Sequence, residues 1–243
     1  MTALAILGVA AFLLLSLTLW KRRSPSYLRE IPAFTKLAHS LGLSIEDGKR
    51  LHISLGRGSL LDARGGSAFA GLALLRNIAE RTSVSDMPAV ASAGDPTLGL
   101  LSQDTLQAGY QAAGVEDAYV HTTGRVTGLS PFSYAAGAMQ IPQNEKVSTN
   151  IVIGHLGAEA GLITDAAERN NIKLIGSSDN LVGQSILFAN TQDPLIGEEL
   201  FAAGAYLNED PAHAASLTVQ DIFRWLIILI LLGGASLKFL GTL

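Results

Sequence analysis

Several side chains in this sequence that could bind an anion or move a proton lie in short glycine-centred turns. These are Leu55-Gly56-Arg57-Gly58, Ala93-Gly94-Asp95, Thr123-Gly124-Arg125, Ile153-Gly154-His155-Leu156-Gly157 and Ile175-Gly176-Ser177-Ser178-Asp179. Each stands at the expected end of a strand. In open α/β sheets ligands bind outside the carboxyl ends of the strands, where glycine permits close backbone approach and a helix N-terminus presents unpaired N–H groups. On this reading Gly56, Arg57, Gly58, Asp95, Arg125, Gly154, His155, Gly157, Ser177, Ser178 and Asp179 line one ligand-binding rim. Asp95, His155 and Asp179 are its candidate acids and bases. A plainer reading of the same residues stays open: the glycines serve tight strand-to-helix turns, and Asp95 and Asp179 cap the helices that follow.

The sequence narrows the chemistry further by what it lacks. Gly56-Arg57-Gly58 has no third glycine at dinucleotide-binding spacing, Gly154 and Gly157 do not supply one, and no G-x-x-x-x-G-K-[ST] occurs. His39, His52, His121, His155 and His213 are scattered, with no pair at metal-ligand spacing on a helix. A G-x-S-x-G nucleophile turn and cysteine are both missing. No cofactor or metal is expected, catalytic residues are not assignable, and the reading leans away from an enzyme.

Strands and helices must alternate to position these turns. Arg50–Leu55, Ala89–Ala93, Ala118–Thr122, Asn150–Ile153 and Ile172–Ile175 have strand character. Helical patterns cover Phe34–Leu41 (closed by Gly42), Ala68–Arg81, Pro96–Ala113, Ala158–Asn170, Leu181–Asn190 and Leu195–Leu207. The alternation predicts an α/β fold with a mostly parallel, Rossmann-like sheet and flanking helices. A-x-A-G-L recurs at Ala68–Leu72 and Ala158–Leu162, and D-x-x-x-G at Asp95–Gly99 and Asp179–Gly183, which suggests a βαβα duplication. Gly124–Val147 is long and irregular. It reads either as an aromatic flap or as cover for the sheet edge, with Ser130 capping a short helix that has Pro131 at its first position.

The two ends of the chain point to a membrane. Thr2–Trp20 is 19 residues without a charge, about 28 Å as a helix and close to one hydrocarbon core. The basic residues Lys21-Arg22-Arg23 follow this segment rather than precede it, which argues for an anchor over a cleaved signal. Near the other end, Trp225–Leu243 completes a span if Lys238 snorkels. The expected organisation is a helix with its basic flank over 1–23, a stalk and short helix over 24–42, an α/β domain over 43–218 and a membrane helix over 222–243. Lys21, Arg22, Arg23, Arg29 and Arg224 face the middle domain, so the positive-inside rule makes it cytoplasmic, in a two-pass protein of the cell membrane. A net charge of −4 gives no basic stripe for nucleic acid.

The phrases EDGKRLHISLGRGSL, LSPFSYAAGA, DPLIGEELFAAGAYL and HAASLTVQDIFRWLIILILLGG resemble a family of bacterial membrane proteins known only as a domain of unknown function. The resemblance runs from Leu41 to Gly234. It implies a central domain with a C-terminal membrane segment, and it carries over no activity. The expectation is a membrane-anchored structural or interaction module whose partners are the bilayer and further copies of itself or other membrane subunits. The alternative is a small-ligand or nucleotide-sensing domain, and an enzyme acting near the membrane ranks third.

Overall fold

The computed structural model describes residues 2–22, 29–59, 65–207 and 211–239. In chain order these form α1 (Thr2–Lys21), α2 (Pro32–Glu46), β1 (Arg50–Gly56), α3 (Gly65–Thr82), β2 (Val90–Ala93), α4 (Pro96–Ala112), β3 (Gly124–Val126) and α5 (Pro131–Ala138). There follow α6 (Gln140–Asn144), β4 (Val147–His155), α7 (Ala160–Arg169), β5 (Lys173–Ser178), α8 (Leu181–Asn190), α9 (Ala203–Leu207) and α10 (Pro211–Phe239). They divide into two compact units, Glu30–Leu207 and a terminal unit made of the two chain ends.

The larger unit is an α/β fold around a five-stranded sheet of order β3-β2-β1-β4-β5, with every neighbouring pair parallel. Parallel strands covered on both faces read as apolar runs, and β1 is buried from Leu51 to Gly56. The order β-α-β-α occurs twice, as β1-α3-β2-α4 and β4-α7-β5-α8, and the two runs meet at the central pair β1 and β4. Gly71 of α3 lies against Leu55 and Ile153. Val152 instead packs with Tyr134 of α5, Ile163 of α7 and Leu187 of α8. Side chains alternate along a strand, so α3 covers one face while α5, α7 and α8 cover the other.

Three local expectations change. Ala118–Thr122 is not a strand: Glu116–Ala118 and His121–Thr123 are 3-10 turns, and the strand is Gly124–Val126. Tyr119 is held away from the sheet, its hydroxyl donating to the Gln103 carbonyl and its ring set edge-on to Tyr110. Leu195–Leu207 is likewise not one helix, because Gly197 takes a positive φ and a 3-10 turn over Gly197–Ala202 precedes α9. Gly42 lies inside α2, which continues to Glu46, rather than closing it. The expected stalk residues 24–28 lie outside the described residues. Ser130 does cap α5, with Pro131 in its first turn.

In the terminal unit, α10 is 29 residues, long and apolar enough to cross a membrane; the apolar stretch of α1, Ile6–Lys21, is shorter. The two helices pack against each other. The Lys21 ammonium donates to the Ala214 carbonyl at 3.0 Å and to the Thr218 hydroxyl at 2.6 Å.

Candidate functional site

The carboxyl ends of β1 and β4 approach so closely that only glycine fits. A Cβ on Gly56, at φ +70°, would stand 2.6 Å from the His155 carbonyl oxygen, and one on Gly154, at φ +135°, would stand 2.2 Å from that of Leu55. Both glycines therefore serve strand-to-strand contact, a structural task different from the strand-to-helix turns of the plainer sequence reading. The pairing continues one residue further, where the Arg57 N–H donates to the His155 carbonyl.

Two polar clusters stand at this edge. In the first, Arg57 Nε donates to Glu159 Oε1 at 3.4 Å, and the Glu159 side chain is only 4% exposed. Glu159 immediately precedes α7, where the positive end of the helix dipole favours a carboxylate. Beneath it, the Tyr134 hydroxyl accepts from the Gly56 N–H at 3.0 Å and shares a 2.8 Å hydrogen bond with Ser54 Oγ. Burial pushes the Tyr134 hydroxyl above its ordinary value, so it stays protonated. In the second cluster, Asp179 takes His155 Nδ1 on one oxygen at 2.6 Å and the Ser67 hydroxyl on the other at 2.7 Å. The carboxylate sits between serine and histidine. The Ser67 proton thus goes to Asp179 and not to the imidazole, the reverse of what an activated serine nucleophile requires.

The remaining rim candidates are divided among structural tasks. Asp95 caps α4, accepting the Leu98 N–H at 2.9 Å. Asp179 does not cap α8, since Asn180 does, accepting from the Val182 N–H. Ser178 Oγ donates to the Leu156 carbonyl and accepts from the Leu156 N–H, which ties β5 to the turn after β4. Ser177 donates to Gln184 of α8. Gly157 lies against the Glu159 carboxylate, and Gly58 is buried directly after Arg57.

Arg125 is not on the rim. Its guanidinium ion-pairs with Glu145 Oε1, while Arg50 Nη1 holds Glu145 Oε2 at 3.1 Å. Arg50 opens β1 and Glu145 precedes β4, so this trio marks the amino edge of the sheet, where a cleft of about 610 Å³ opens. β3 is only three residues long, so an arginine at its middle reaches the opposite edge from the one its neighbouring glycine suggests.

Between the two edges, under α5, runs a buried polar line. His52 Nε2 bonds Ser92 Oγ at 2.9 Å, Ser92 stands 3.5 Å from Ser54, and Ser54 bonds Tyr134. His52 is wholly buried, and burial drives its pKa down to about 3, so the ring is neutral. The Asn150 amide opposes that shift from across the strand register, but His52 Nδ1 and both polar atoms of the Asn150 side chain lack hydrogen-bond geometry to any described residue.

The sequence reading missed Ser67, Tyr134, Glu159, Arg50, Tyr110 and Glu145. The pair Glu145-Lys146 before an apolar strand and Arg50 opening another were usable signals, because charged side chains at the starts of buried strands need opposite charges or water within reach. No curated protein and no solved structure matches the chain. The family model described as "Domain of unknown function (DUF6754)" matches residues 1–242, and the chain belongs to that family.

Proposed function

We propose that this protein is a membrane-anchored interaction module that assembles with further copies of itself at the cytoplasmic face of the membrane. In this reading α1 and the later part of α10 both cross the bilayer, and the chain ends lie outside. The observation that carries the proposal is the apolar surface flanking the carboxyl edge. Leu129 and Phe132 after β3 are 64% and 63% exposed, and Leu181 and Val182 after β5 are 81% and 54% exposed. The two pairs follow the two outermost strands, so each side of the sheet carries its own exposed apolar pair, available for contact with a further copy. Gly8 of α1 and Gly233 and Gly234 of α10 face open space, which leaves small-residue surfaces for helices of a second copy.

The test is the native mass of the detergent-extracted full chain. An assembly of several copies that falls to monomer in Leu181→Ser with Val182→Ser supports the reading, and a wild-type monomer refutes it. Orientation has its own test, since the chain has no cysteine. Gln107→Cys, on the exposed side of α4, should react with an impermeant maleimide only after cells are opened, and labelling of intact cells would place the domain outside. A second reading, a small-ligand-sensing domain, is favoured by the amino-edge cleft.

A further inference from the structure

The cleft at the amino edge holds two buried polar groups with no hydrogen-bond partner among the described residues. Tyr110 is 1% exposed and lines the cleft, and its hydroxyl has no hydrogen-bond partner among the described residues. Arg50 places Nη1 on Glu145, but its buried Nε has none. Buried polar groups are ordinarily satisfied, because an unmade hydrogen bond in a desolvated site is unfavourable by about 1–3 kcal/mol. Both orphan groups can donate. The charged lining is Arg50, Arg125 and Lys146 against Asp86 and Glu145, which leaves an excess of positive charge. Glu145 binds both arginines, so it fixes their planes without neutralising the whole cleft.

We propose that this cleft binds a small organic oxyanion, a phosphate monoester or a carboxylate, through Arg50, Arg125, Lys146 and the Tyr110 hydroxyl. Its volume of about 610 Å³ lies within the usual range for small-molecule sites, about 300–1,000 Å³. Guanidinium groups held in a fixed plane suit the paired oxygens of either anion. Burial raises the tyrosine pKa, which keeps the phenol a donor. The site lies away from the carboxyl edge, so it does not depend on self-assembly there.

Equilibrium dialysis of the full chain in nanodiscs, with radiolabelled inorganic phosphate and radiolabelled succinate as probes, tests the proposal. Saturable binding of one molecule per chain, with Kd below about 1 mM, is expected for at least one probe. Phosphate binding alone would name the phosphate class, and succinate binding alone the carboxylate class. Tyr110→Phe removes one oxygen and should weaken binding by about tenfold. Lys146→Asn keeps a residue tolerant of the positive φ of 52° found there and should weaken it severalfold, with the far-ultraviolet circular dichroism unchanged. Absence of saturable binding of both probes overturns the proposal, and so does binding that neither substitution alters.

Discussion

His155 and Asp179 close the gap between the ends of β4 and β5, with Nδ1 and Oδ1 2.6 Å apart and side chains 12% and 20% exposed. The same carboxylate also receives the Ser67 hydroxyl from the first turn of α3. One aspartate therefore ties together three segments that are distant in sequence: the end of β4, the turn after β5 and the first turn of α3. Removing it should do more than removing an ordinary cap. Asp179→Ala is expected to lower stability by about 2–3 kcal/mol, because two hydrogen bonds to a charged acceptor are lost. Asp95→Ala, which deletes a single helix cap, should lose about 1 kcal/mol. Urea unfolding of the full chain followed by circular dichroism ranks the two; equal losses would reduce Asp179 to a peripheral contact.

Glycine substitutions separate crowding from flexibility. Gly154→Ala forces a Cβ onto the Leu55 carbonyl at a positive φ and should destabilise by more than about 2 kcal/mol, or prevent folding. Gly42→Ala, inside α2 with nothing within 4 Å of the added carbon, should stabilise by about 0.5–1 kcal/mol. Thermal melts of the pair give opposite shifts if β1 and β4 meet as described.

His52 predicts a pH dependence with a definite sign. Its pKa is about 3 in the folded chain against an ordinary 6.5, so below pH 6.5 the unfolded state takes up a proton that the folded state refuses. Stability should fall as the pH drops from 6.5 towards 3, with a slope contribution near 1.4 kcal/mol per pH unit, and this histidine contributes no slope above that window. In His52→Gln the added slope should vanish. A wild-type slope confined to pH above 7 would contradict the assignment.

Glu145 holds two arginines at once. Glu145→Gln retains the shape but leaves Arg50 and Arg125 facing each other. A loss of about 1–2 kcal/mol is expected, and it should grow smaller as salt is added, because screening weakens the repulsion that remains. A loss independent of salt would mean that packing, not charge, dominates at this edge.

The sequence by itself determined the alternation of elements. Apolar runs of strand length separated by helical periodicity are consequences of burial on both faces of a parallel sheet, so β1, β2, β4 and β5 and helices α3, α4, α7 and α8 lie close to where the pattern puts them. It also determined an apolar C-terminal helix of spanning length and the Ser130-Pro131 helix start, because hydropathy and capping are local properties. The four quoted phrases pointed to a domain of unknown function, and a family model so described matches residues 1–242. Only the tertiary structure decided which charges meet. Strand order brings β1 beside β4 rather than beside β3, so Gly56 and Gly154 are spent on backbone contact, and Asp179 reaches Ser67 across 112 positions. The three-residue β3 turns Arg125 to the amino edge, where it shares Glu145 with Arg50 and borders Tyr110 in a cleft. Those pairings depend on strand register and on close approach between distant segments, which no local spacing of residue types encodes.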